Sequence, residues 1–211
     1  LVIDGGRTII WFSLLNINKN VHMYNIGIMQ GRIYPSRKKT YNLFPRLWKK
    51  EFLQLKKIGF NYLELLYDKR ESTNNPISYK SNNLDELTAI SKNKLYSVNL
   101  DYFSDNNFFK DINKSKKIIR HILFICKKLN IKIIIIPCIE KNLLNKKKMI
   151  NLINYLKKIL TQRSPKISIE INNLEPKIKK YLNQKVGICF DTGNVLTESK
   201  HSLKNIFEFK D

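Results

Sequence analysis

From Met23 onward the hydrophobic positions of this chain fall into two alternating patterns. Short runs that are apolar throughout or alternate with period two read as strands, and longer stretches with apolar residues three and four apart read as helices. Asn25 to Met29 predicts a first strand, followed by a polar loop through Thr40. From Pro45 to Ile58 the residues Leu47, Trp48, Phe52, Leu55 and Ile58 keep helical spacing, and Gly59 predicts a left-handed cap at the helix end. Asn61 to Tyr67 (NYLELLY) predicts a second strand. Leu84 to Asn93 predicts a short helix opened by Asn82 or Asn83, and Leu95 to Leu100 a third strand. Ile112 to Leu129 predicts a long helix, with Ile118, Ile119, Ile122, Ile125, Cys126 and Leu129 on one side.

The alternation then continues. Ile131 to Ile136 predicts a fourth strand whose unbroken isoleucines suit burial on both faces. Lys146 to Leu160 predicts a helix, Lys166 to Ile171 (KISIEI) a fifth strand, and Leu174 to Leu182 a helix. Val186 to Phe190 (VGICF) predicts a sixth strand, and His201 to Phe209 a last helix with Leu203, Ile206 and Phe207 on one side. Strands alternating with crossover helices imply an α/β fold with a parallel sheet. No glycine-rich phosphate motif follows any strand, which argues against a nucleotide-binding doubly wound sheet, although an open doubly wound sheet remains the alternative arrangement. A complete (β/α)8 TIM barrel takes about 250 residues, whereas 189 run from Met23 to Asp211. The expected architecture is therefore a TIM barrel truncated after about six βα units, occupying residues 23–211. Residues 1–22 then form an N-terminal extension that need not be native, since Met23 is a plausible start and the stretch from Leu1 to His22 makes a poor signal peptide.

Composition changes this picture little. The chain carries 39 Lys+Arg against 17 Asp+Glu, a formal charge of +22, which invites a nucleic-acid reading. Lys, Ile and Asn, however, fill 32, 30 and 25 positions. These residues share A/T-rich codons, so a biased genome raises all of them together. Arg, the residue that forks onto phosphate and guanine, occurs only seven times and is scattered. We expect no dedicated nucleic-acid site, while the basic field would still draw in a phosphorylated small molecule. No apolar run approaches the length of a membrane span, and no membrane association is expected. Cys126, Cys138 and Cys189 lie far apart without metal-knuckle spacing, which fits a reducing cytoplasm.

In a barrel of this kind the chemistry sits at the carboxyl ends of the strands. Read that way, the strands deliver Gln30 and Arg32 (GIMQGR), Glu64 and Asp68 (LELLYD), Asp101 (NLDYF), Glu140 (IIPCIE), Glu170 (ISIEINN), and Asp191, Thr192 and Asn194 (CFDTGN). An acid near almost every strand end is unusual in a protein so poor in acids, because carboxylates are rarely buried without a partner or a cation. Ordinary roles stand beside this reading. Glu64 and Glu140 could be solvated loop acids paired with lysines, Arg32 a solvated loop cation, Asp101 a cap for the turn that follows, and Asp191 the acceptor of an Asx turn. Glu170 alternates with Ile169 and Ile171, so its charge faces either solvent or the lumen, and in a helix-covered strand the lumen is expected.

GIMQGR, IGFNYLELLYD, SVNLDYF, ISIEINNLEP and CFDTGN occur in the order found in xylose-isomerase-like TIM barrels, and between Met23 and Asn194 the chain resembles the sugar phosphate isomerase/epimerase branch of that superfamily. The resemblance implies a divalent cation, Mg²⁺ or Mn²⁺ before Zn²⁺, held in part by Glu170 and Asp191, with a His and a Glu from strands seven and eight completing the set. It implies Glu170 as an acid–base residue, with Gln30, Arg32, Glu64, Asp101, Glu140 and Asn194 around the substrate. The chemistry so implied is proton transfer beside a sugar carbonyl through an enediolate, by a cytoplasmic enzyme of carbohydrate metabolism for which a homodimer is compatible. FEFKD at the chain's end faintly resembles the strand-seven His-x-Lys-Asp motif with Glu208 in place of His, but its spacing reads as helix. None of His22, His121 and His201 falls at a ligand position. The alternatives are a related metal-dependent abasic-site endonuclease, disfavoured by the scarcity of His, and a non-catalytic truncated product; a barrel lacking two strands is expected to be inactive by itself.

Overall fold

The computed structural model describes residues 26–35, 43–71, 73–139, 142–171 and 176–189. Among these, strands β1 (Gly27–Met29), β2 (Tyr62–Leu66), β3 (Leu95–Asn99), β4 (Ile133–Pro137), β5 (Lys166–Glu170) and β6 (Val186–Cys189) pair in parallel. Their order in the sheet is the order of the chain, β1 through β6. Helices α1 (Trp48–Gln54), α2 (Leu84–Ser91), α3 (Tyr102–Asp105), α4 (Ile112–Leu129) and α5 (Lys146–Ile159) lie between the strands, and a 3₁₀ helix (Pro176–Tyr181) joins β5 to β6.

That order decides between the two arrangements left open by the sequence. A doubly wound sheet reverses direction at a switch point and carries helices on both faces. Here no reversal occurs, so right-handed crossovers put the helices on one side. The core agrees: Ile28, Leu63, Leu65, Val98, Ile134, Ile136, Ile167, Ile169 and Val186, one alternate set of strand positions, pack with Phe52, Leu87, Ile118, Ile122, Leu152 and Leu156 of the helices. Each such aliphatic side chain contributes about 2 kcal/mol by leaving water. The fold is α/β, with six consecutive strands following the path of a TIM barrel.

Helix boundaries have local causes. The helix expected over Pro45 to Ile58 is shorter, with α1 ending at Gln54; the turns that follow it close at Gly59, which takes φ +85°, its N–H donating to the Lys56 carbonyl and the Phe60 N–H to that of Leu55 in a Schellman pattern. Asp111 accepts the Lys114 N–H at the start of α4, and Asn145 accepts the Lys148 N–H at the start of α5. At the end of α4, Asn130 adopts a left-handed φ of 55° and the Ile131 N–H turns back to the Cys126 carbonyl. Ile131 is thereby spent on closing the helix, and β4 begins at Ile133 rather than at Ile131.

Other expectations need correction. The helix expected over Leu174 to Leu182 is a short 3₁₀ segment, closed by the Leu182 N–H bonding to the Lys179 carbonyl; six residues are too few to favour an α-helical ladder. Asn83 stands at the N-cap of α2 but its side chain makes no capping bond. The turn expected after Asp101 is a single helical turn, α3. The first 22 residues and the helix expected over His201 to Phe209 lie outside the described residues. Among the described residues no helix is long and apolar enough to cross a membrane.

Candidate functional site

Strand side chains alternate between faces, and the set opposite the helix-packed core comprises Met29, Glu64, Leu66, Ser97, Asn99, Ile135, Ser168, Glu170 and Cys189. Register ties them together: Met29 pairs with Glu64, Glu64 with Ser97, Leu66 with Asn99, Asn99 with Ile135, Ile135 with Ser168, and Glu170 with Cys189. Leu66 and Ile135 are fully buried yet stand outside the helix-side core, so this inner face is closed by side chains of the sheet itself. It is also the polar face, a contrast that apolar packing alone does not explain.

Glu170 closes β5 on that face and is only 3% exposed. Its carbonyl accepts the Cys138 N–H at 2.8 Å. Burial, with the negative charge of Glu170 second, pushes the Cys138 thiol well above its usual range, which makes this cysteine a packing residue and not a nucleophile. Glu64 lies on the same face but in the middle of β2, where it accepts the Ser97 hydroxyl at 2.5 Å. The sequence reading placed it at the strand exit. The exit is in fact formed by Tyr67 and Asp68, because β2 runs on to Leu66.

Asp68 is buried and accepts the Phe44 N–H at 2.7 Å and the Arg70 Nε at 2.9 Å, while Arg70 also donates to the Phe44 carbonyl. It ties the segment before α1 to the end of β2. Gln30 is fully buried; its N–H donates to the Glu64 carbonyl and its Oε1 accepts the Leu66 N–H at 3.1 Å. That side chain extends the β1–β2 pairing beyond the last residue of β1. Arg32 is half-buried in the turn after β1. Asp101 stands at the N-cap of α3 and accepts the Ser104 hydroxyl at 3.2 Å, but its side chain makes no capping bond to the main chain, so the cap expected of it is not formed. Glu140, Asp191 and Asn194 lie outside the described residues.

The structure adds acids and amides that sequence reasoning passed over. Glu51 is fully buried on α1 and its Oε1 accepts the N–H groups of Gly31 (2.9 Å) and Tyr34 (3.2 Å). Burial raises its carboxyl to about 7, against the opposing pull of these N–H donors and of Arg32. A signal was available: Glu51 sits three residues after Trp48 and four before Leu55, on the apolar side of the helix. Asn142, also fully buried, accepts the Phe108 N–H and donates to the Pro137 carbonyl, joining the end of β4 to the segment before α4. His121 is the helix residue it was expected to be, its Nε2 against the Ile77 carbonyl and its ring edge-on to Tyr79; burial depresses its proton affinity.

No protein-family model matches the sequence, and no curated protein matches it. The fold is similar to that of the 3-keto-D-glucoside 4-epimerase YcjR from E. coli in its apo form, with a TM-score of 0.56 at 15% identity, covering 76% of this chain and 69% of that one. At that identity the likeness is one of fold, and it agrees with the barrel-like path of six consecutive parallel strands. Among the described residues no three His, Cys, Asp or Glu side chains gather as a metal-binding group would.

Proposed function

We propose that the parent protein is a sugar or sugar-phosphate isomerase or epimerase of the xylose-isomerase-like kind. The observation that carries this reading is Glu170, a buried carboxylate at the carboxyl end of β5 on the polar inner face. That is the position from which barrel enzymes work, and a carboxylate there invites a proton or a cation. The fold likeness to a sugar epimerase is in keeping with it.

In this reading the Glu170 carboxylate takes a proton from the carbon beside the substrate carbonyl, and a second, protonated carboxyl delivers its own proton to the neighbouring carbon or the opposite face. Arg32, in the turn after β1, engages a phosphate or hydroxyl group of the sugar. Carboxylate oxygens suit a hard dication such as Mg²⁺ or Mn²⁺, and Glu170 with Asp191 would hold it. When bound, such an ion supplies positive charge beside the oxygens on which negative charge develops.

The test is solvent exchange. The protein at its full natural length, incubated with ketoses and ketose phosphates in heavy water with Mn²⁺, should place deuterium at the carbon beside the carbonyl. Glu170→Gln should lower that rate by about 10²-fold or more. Cleavage of abasic-site DNA without any such exchange would overturn the reading in favour of the nuclease.

A further inference from the structure

The turn after β1 is held by a side chain from outside the barrel mouth. Glu51, one turn into α1, reaches back to the Gly31 and Tyr34 N–H groups with one carboxylate oxygen. Its other oxygen is buried with no hydrogen-bond partner among the described residues. Gly31 takes φ +83°, a backbone shape that side-chain-bearing residues rarely adopt, so the turn depends on its glycine. Between the two anchored amides lies Arg32.

We propose that Glu51 is a positioning residue, a latch that sets the β1–α1 turn and thereby aims Arg32. The part concerning Arg32 as a substrate contact rests on the function proposed above; the latch itself does not. Its grip depends on protonation. An ionised carboxylate accepts N–H bonds about twice as strongly as a neutral acid, while the buried second oxygen makes ionisation costly. The Glu51 carboxyl therefore changes state near neutral pH, at about 7. Arg32 is the charged group from the turn that acts on it. From the neighbouring segment, Asp68 and Arg70 are engaged with each other and with the Phe44 main chain.

The latch predicts local loosening as pH rises, because opening hydrates the carboxylate and returns its proton affinity to the ordinary range. After correction for intrinsic exchange, protection of the Gly31 and Tyr34 amides should fall about ten-fold between pH 6 and 8 in the wild type. In Glu51→Gln, which keeps an acceptor oxygen but cannot ionise, protection should be flat. The Arg32 Nε–Hε resonance should titrate with the same midpoint and lose that titration in the variant. Amide protection independent of pH in the wild type would overturn the latch, and that measurement stands even where the variant fails to fold. A titration at Gly31 and Tyr34 that leaves the Arg32 resonance unmoved would overturn the positioning of Arg32. Amide titration together with absent sugar exchange would instead leave the latch in place and remove the proposed function.

Discussion

Asn142→Leu offers the sharpest test of how the upper rim of the sheet is held. The amide is fully buried and makes two bonds to main chain, accepting the N–H of Phe108, 34 positions away, at 2.8 Å and donating to the nearby Pro137 carbonyl at 2.6 Å. Leucine is close in volume, so the packing term is small and the polar term dominates. Each main-chain group left unpaired in the interior costs about 1–3 kcal/mol, so the pair predicts a loss of about 4 kcal/mol. In a domain of this length that lowers Tm by roughly 8–16 °C. Urea denaturation followed by far-UV circular dichroism measures it as a fall in midpoint at unchanged slope. Asn142→Asp sharpens the argument: the new carboxyl keeps the acceptor for Phe108 but faces the Pro137 carbonyl with no proton to give. Its proton affinity in the fold is therefore raised, so the variant's deficit should shrink as pH falls and the carboxyl becomes a donor. A loss below about 1 kcal/mol for Asn142→Leu, within the range of ordinary surface substitutions and their scatter, would refute the idea that this amide fastens the two segments.

Other outcomes are expected. Because the Glu51 carboxyl is raised from 4.5 to about 7, the folded state holds a proton there that the unfolded chain gives up. Stability from this group is then fully present below pH 4.5 and lost as pH rises to about 7, by about 3 kcal/mol in all; urea midpoints across that range check it, and Glu51→Gln should remove the slope. Gly59→Ala, at φ +85° with nothing within 4 Å of the added carbon, should cost about 1 kcal/mol through backbone strain alone, whereas a null result in thermal melting would mean the helix end relaxes to another cap. Mn²⁺ at about a hundred times its Kd should stabilise the full-length protein by about 2.7 kcal/mol, and a thermal shift surviving both Glu170→Gln and Asp191→Asn would exclude these residues as its ligands.

Much of this protein is set by residue pattern alone. The helix Ile112–Leu129 was readable to the residue, since Ile118, Ile119, Ile122 and Ile125 mark one face and its ends carry Asp111 and Asn130. The inward aim of Glu170 was readable too, because a charged residue between two isoleucines faces solvent or lumen, and in a helix-covered strand the lumen is the expected side. Both are local facts: side-chain periodicity is built into the backbone geometry of helix and strand. Strand order was not local. Hydrophobic alternation is the same for a doubly wound sheet and for a barrel, and only the pairing of β1 with β2 through to β5 with β6 separated them. Nor were Gln30, Glu51 and Asn142, whose partners lie 20 to 36 positions away for the bonds of Gln30, of Glu51 to Gly31, and of Asn142 to Phe108. Sequence showed them as polar residues like any others. Folding brought each to an unpaired backbone group in the interior, where a missing partner costs more than the amide or carboxylate costs to bury, and that cost exists only once the chain is packed.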